Sequence, residues 1–103
     1  MNYTEYENEI AFHPGYYIKE LVDYSGLTQE DFAERLGITS ENLSALINGE
    51  QRLSIDIANK LSGMYGTSLE FWLSIQMAYD EKIAEFMDAE EMVKEREVFN
   101  LMD

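Results

Sequence analysis

The sequence predicts an all-α fold: a five-helix bundle built around a helix-turn-helix, followed by a helical C-terminal extension. Apolar residues recur at spacings of three and four along most of the chain, and no alternating run reads as a strand. Helix-capping residues punctuate it at Thr28, Thr39, Ser54 and Thr67. Between Thr28 and Asn48, TQEDFAERLGITSENLSALIN reads as two short helices joined by a tight turn at Gly37.

The first twelve residues, MNYTEYENEIAF, lack a clear period and are expected to form an arm that packs through Ile10 and Phe12. His13-Pro14-Gly15 starts the first helix, because proline suits a first turn in which its missing N–H costs nothing. That helix should run to about Tyr24, bury Ile18, Leu21 and Val22, and stop at Ser25-Gly26. Thr28 then caps the second helix, with Asp31 at the third helical position in a capping-box-like arrangement. Phe32, Ala33 and Leu36 form its narrow apolar stripe. Gly37 supplies the left-handed residue on which a helix commonly ends. Ile38 plugs the turn, and Thr39 caps a third helix with Leu43, Leu46 and Ile47 on its inner side, closed by Asn48-Gly49.

Residues 49–53 read as a loop, and Ser54 as the cap of a fourth helix. Its inner face would be Ile55, Ala58, Leu61 and Ser62, and its end lies near Gly66. Thr67 with Glu70 makes a T-x-x-E capping box for a fifth helix. The apolar positions there, Leu69, Trp72, Leu73, Ile75, Met77 and Ala78, are spread widely enough for burial on more than one side. Beyond Tyr79 neither glycine nor proline interrupts the chain, so the helical state is expected to continue, with Ile83, Phe86 and Met87 at helical spacing and Met92, Val93 and Phe99 less regularly so. Three parts follow: an arm over 1–12, a helix-turn-helix domain over 13–79 and an acidic helical extension over 80–103.

Composition narrows the function. The chain has no cysteine and one histidine, which leaves no disulfide, no thiolate metal site and almost no scope for a nucleophile–base pair. The carboxylates are scattered without basic or metal-anchoring company, so no enzyme activity, metal or cofactor is expected. His13 is read as a residue that caps or packs at the helix start. No apolar run is long enough to span a bilayer and no signal-peptide pattern precedes the domain, so a cytoplasmic protein without a membrane partner is expected.

Net charge is −14, which taken alone opposes approach to a polyanion. Its distribution qualifies that. Residues 13–79 carry four basic and nine acidic side chains, a net of −5, whereas residues 80–103 carry three and nine, a net of −6. The first twelve residues hold the remaining −3. The ends are therefore the more acidic parts, and the helix-turn-helix is only mildly so.

The second helix of such a motif is the one that enters a DNA major groove. Ser40, Glu41, Asn42 and Ser44 lie along its leading edge; Asn42 suits bidentate pairing with adenine, and Glu41 could accept from a cytosine amine although it repels phosphate. The alternative is a solvated helix face in a domain that no longer reads DNA. Phe71, Trp72, Ile75 and Tyr79 are candidates for a twofold dimer seam, against the alternative of ordinary core packing. Glu85, Asp88, Glu90, Glu91, Glu95 and Glu97, with Met87, Met92, Phe99, Leu101 and Met102, could grip a basic partner or form a solvated charged helix.

His13-Pro14-Gly15, TQEDFAERLGIT, LSALINGEQRLS and GTSLEFWLSIQMAYD together resemble the HigA-type antitoxins, within the Xre-type helix-turn-helix class shared with phage repressors. The resemblance covers roughly residues 12–82. Its most specific part is the pairing of the HPG start with the F-W-L-x-x-Q-x-x-Y-D run at Phe71–Asp80. It implies a phage-repressor-like bundle that dimerises, binds a palindromic double-stranded DNA operator, represses its own operon and neutralises a basic, HigB-like toxin that cleaves mRNA on the ribosome. It also implies DNA contacts from Thr28 and Gln29 at the start of the second helix, Thr39 at the start of the third, and Asn48 and Arg52 on phosphate. The chain departs from the family at Ser40, Ala45, Glu50 and Gln51, where arginine or lysine is common, and at Tyr16, where an acidic residue is. A standalone repressor of phage or mobile-element origin, and a protein-interaction module derived from a DNA reader, are the rival readings.

Overall fold

The computed structural model describes residues 1–101, with side chains described through residue 94. A hairpin of β1 (Tyr3–Tyr6) and β2 (Glu9–Phe12) precedes α1 (Pro14–Ser25), α2 (Gln29–Leu36), α3 (Ser40–Ile47), α4 (Ile55–Tyr65) and α5 (Leu69–Leu101). The capping residues act where local chemistry places them. The Thr28, Thr39 and Ser54 side chains accept the N–H of Asp31, Asn42 and Ile57, each at 3.1 Å. His13 caps α1: its Nδ1 accepts from the Gly15 N–H at 2.9 Å. At the end of α2, Gly37 takes φ +82°, and the N–H groups of Gly37 and Ile38 both reach the Ala33 carbonyl.

The core gathers Ile18 and Val22 of α1, Phe32, Ala33 and Leu36 of α2, Leu43, Leu46 and Ile47 of α3, Ile57, Ala58 and Leu61 of α4, and Trp72 of α5. Leu21 is only partly buried beside it.

Four expectations need correction. First, the arm is an antiparallel hairpin with Tyr3 opposite Phe12 and Tyr6 opposite Glu9. Its turn at Glu7-Asn8 contains no glycine or proline to announce it, and Glu7 itself takes the positive φ, +56°. Ala11 is buried and Ile10 is exposed, so the hairpin packs through the other face of β2 than Ile10 suggested. Second, Ile55 is 63% exposed and Ile57 takes the inner position. Two isoleucines two residues apart left the phase of α4 open, and capping at Ser54 makes Ile55 an exposed first-turn residue. Third, α5 is capped by Ser68, whose Oγ accepts the Phe71 N–H at 3.1 Å, while Thr67 Oγ1 accepts the Trp72 indole N–H at 2.7 Å. Fourth, Met77 and Ala78 face solvent.

The extension continues α5 without a break, so the division placed at residues 79 and 80 falls inside one 33-residue helix. The hairpin packs on that helix past the division: Tyr6 stacks on Phe86 at 5.5 Å, and Glu9 meets Lys82 at 3.0 Å. Glu95, Glu97, Phe99, Leu101 and Met102 lie outside the described side chains.

Candidate nucleic-acid interface

The third helix is held from two sides. Leu43, Leu46 and Ile47 turn inward against α1 and α2, leaving Glu41 and Asn42 exposed and Ser40 and Ser44 half-buried. Gly15 lets the start of α1 lie on the end of α3: a Cβ there would sit on the Leu46 carbonyl oxygen and 2.9 Å from that of Ile47. Lys60, reaching from α4, donates to the Gly37 carbonyl at 2.9 Å and fixes the turn before α3. A polar cleft of roughly 400 Å³ separates the starts of α3 and α4, with Thr39, Asn42, Gln51 and Lys60 among its lining. Thr28 and Gln29 are exposed at the start of α2, and Asn48 is exposed at the end of α3.

The loop after α3 is anchored on α5. Gln76, only 5% exposed, accepts the buried Leu53 N–H through Oε1 at 2.8 Å and donates from Nε2 to Asp80 Oδ1 at 3.0 Å. Asp80 in turn receives Arg52 bidentately, Nη1 at 2.9 Å and Nη2 at 2.6 Å. The Tyr79 and His13 rings meet in a T-shaped contact, centroids 5.1 Å apart. The HPG start and the Q-x-x-Y-D run, far apart in sequence, thus converge on one spot. Lys60, Gln76 and Asp80 were not singled out as site residues. Their partners lie 23 to 28 positions away, beyond any local spacing rule.

Burial lowers the His13 pKa, while the Gln51 backbone carbonyl and the Asp80 charge push the other way. The fold therefore favours neutral His13, whose Nδ1 must stay unprotonated to cap α1. The unfolded chain binds this proton near pH 6.5, so stability should be level above neutrality and fall as pH drops through about 6.5, by at most about 1.4 kcal/mol per unit. Asp80, held below its ordinary range chiefly by Arg52, loses its contribution only at much lower pH. Thermal melts at pH 7.5 and 5.5 should show the loss in the native chain. The loss should be smaller in His13→Asn, which retains a capping side chain; equal losses would refute the account.

Three of the four basic side chains in residues 13–79 are held by carboxylates: Lys19 by Asp23, Arg52 by Asp80 and Lys60 by Asp56. Among the seam candidates, Trp72 is 3% exposed and packs in the core. Phe71 is exposed, and Ile75 and Tyr79 are half-buried. Phe71 and Ile75 line a mostly apolar groove of roughly 610 Å³ with Tyr17, Leu21, Tyr24 and Tyr65. Glu85, Asp88, Glu90 and Glu91 are exposed on α5, as is Met92, and Met87 is 63% exposed. Among the described residues no group of carboxylates and histidine could hold a metal ion, and no helix is long and apolar enough to cross a membrane.

Two capped helices around a left-handed glycine, the second with its polar edge outward, define a helix-turn-helix protein. The chain belongs to the helix-turn-helix family, whose profile matches residues 18–72, and that family is a non-enzymatic class of DNA-binding regulators. Its particular likeness is to the HigA-type antitoxins of the Xre group. It is 39% identical over 61 residues to Antitoxin HigA-1 of Vibrio cholerae, a match covering 59% of this chain and 57% of that protein. Virulence-associated protein A′ of Dichelobacter nodosus is 41% identical over 69 residues, covering 66% of this chain and 60% of the relative. The chain thus spans about three fifths of the length of both these curated relatives. Among solved structures, an addiction module antidote protein of the HigA family from Coxiella burnetii is 32% identical, with a TM-score of 0.71, over 82% of this chain and 94% of that one. The antitoxin HigA of Pseudomonas aeruginosa, solved with the higBA promoter, has a TM-score of 0.72 over 80% of this chain and 90% of that one; at 20% identity the likeness is one of fold.

Proposed function

We propose that this chain is the antitoxin of a toxin–antitoxin pair: a cytoplasmic homodimer that represses its own operon through α3 and neutralises a HigB-like, mRNA-cleaving toxin. The observation that carries the DNA half is α3 itself, capped at Thr39, with Leu43, Leu46 and Ile47 inward and Glu41 and Asn42 outward. Ser40, Glu41, Asn42 and Ser44 read base edges in this proposal, while Thr28, Gln29, Thr39, Asn48 and Arg52 position the domain on the backbone. Residues 13–79 form the reading unit, and the acidic ends, above all residues 80–103, receive the basic toxin by charge complementarity. The names of the HigA relatives support the toxin half.

A second copy would cover the groove between α1 and α5, whose tyrosines and Phe71 have the aromatic character of an interface core. A twofold dimer would set two copies of α3 into major grooves about 34 Å apart on a palindromic site.

Gel-shift binding to the chain's own promoter tests the reading. A shift at low salt that weakens steeply as salt rises is expected. Arg52→Ala should weaken binding to all sequences alike, and Asn42→Ala should relax discrimination at one base pair by about 1–3 kcal/mol. No shift at low salt, with or without a toxin, would remove the DNA half. The pairing of Lys19, Arg52 and Lys60 with carboxylates favours a second reading, in which the old DNA face binds protein. That version has no DNA affinity for salt to weaken.

A further inference from the structure

Arg52 sits at the edge of the proposed reading face with its charge already engaged. Nη1 and Nη2 donate to the two oxygens of Asp80, the forked geometry with which arginine also grips a phosphate. Asp80 is a placed partner rather than a chance one. Gln76 donates to its Oδ1 and, from the same buried side chain, accepts the N–H of Leu53, the residue after Arg52. One turn of α5 therefore fixes both the carboxylate and the loop that carries the cation. The Arg52 side chain is still 70% exposed, so an incoming group can reach it.

We propose that Asp80 is a built-in competitor for the DNA backbone, holding Arg52 in the shape of a phosphate contact until a phosphate displaces it. The proposal rests on the DNA-reading function above and adds the residue that sets the strength of this contact. An exposed ion pair is worth little in water, so a phosphate can take the place of the carboxylate. A paired arginine, however, presents little net charge to a polyanion, and freeing the carboxylate cancels part of what the new contact gains. The chain carries few other cations to make up the difference: residues 13–79 hold three basic side chains besides Arg52.

The test is a cycle of Asp80→Asn, Arg52→Ala and the double variant, titrated in the full chain against the promoter duplex and an unrelated duplex across a range of salt. Glu81→Gln serves as the control, removing one charge from the neighbouring exposed residue, which does not hold Arg52. Asp80→Asn should bind both duplexes about threefold more tightly or better at low salt. Its salt slope should steepen by about one unit, because no carboxylate remains to recapture a counterion. The gain should exceed that of Glu81→Gln and fall to that control's level in the Arg52→Ala background. Asp80→Ser, too short to hold the guanidinium, should show the same gain even if the amide disturbs the loop. A gain above the control's that persists without Arg52, one no larger than the control, or none at all in a native chain that binds DNA would overturn the proposal and leave the DNA reading standing. If neither the native chain nor Asp80→Asn shifts either duplex, the DNA reading itself falls and takes the competitor with it.

Discussion

Gly15→Ala should destabilise the fold by about 3 kcal/mol or more, at the upper end of what overpacking costs. The added methyl has nowhere to go. It would land on the Leu46 carbonyl and crowd that of Ile47, both backbone atoms at the end of a helix whose other side is packed in the core. A rotamer change offers no escape, so α1 and α3 must separate. A domain of this size has about 5–15 kcal/mol in all, and each kilocalorie is worth roughly 4–8 °C, so the melting temperature should fall by more than about 10 °C. Because the helix displaced is α3, DNA binding should weaken even below the new melting point. Calorimetry checks the first effect and gel shift the second. A variant that melts like the native chain would show that the start of α1 does not bear on α3.

Gln76→Leu should cost about 1–3 kcal/mol, the penalty for leaving a buried donor without a partner. Leucine fills a similar volume, but the Leu53 N–H loses its acceptor and Asp80 loses a donor. Gln76→Glu separates the two losses: it can still accept from Leu53, but it sets a second carboxylate against Asp80. That variant should recover stability as pH falls toward the carboxylate range, unlike Gln76→Leu. Denaturant melts at pH 7 and 4.5 distinguish them, and identical pH profiles would mean that the contact between residues 76 and 80 contributes nothing.

What the sequence revealed of this fold was its local chemistry. Thr28, Thr39 and Ser54 each bond an N–H three residues on, and Gly26, Gly37 and Gly66 are left-handed at helix ends, so three helix starts and three stops were legible within windows of four residues. The hairpin was not legible, because two four-residue strands joined through Glu7-Asn8 carry neither a turn glycine nor a sustained alternation. At Thr67-Ser68 two adjacent hydroxyls competed for one cap, and the tertiary contact with Trp72 decided between them.

For the candidate interface the outward edge of α3 could be anticipated, since the inward positions of Leu43, Leu46 and Ile47 fix the rest of the helix by rotation. The anchoring of the loop could not. The bonds from Leu53 to Gln76, from Arg52 to Asp80 and from Lys60 to Gly37 each join residues more than twenty positions apart. Only the resemblance, through its Q-x-x-Y-D run, marked Gln76 and Asp80 as unusual, and it said nothing of what they touch.

The unbroken course of α5 makes its length as consequential as its composition. Trp72 in the core, Gln76 and Asp80 under the loop, and Phe86 beneath the hairpin are successive stations on one rigid rod. Each residue turns such a rod by about 100° and advances it about 1.5 Å. Inserting or deleting a single residue between Asp80 and Phe86 would swing the hairpin's docking point about a quarter-turn away while leaving the loop anchor where it is. The count of residues along this stretch is thus as binding as the side chains that fill it.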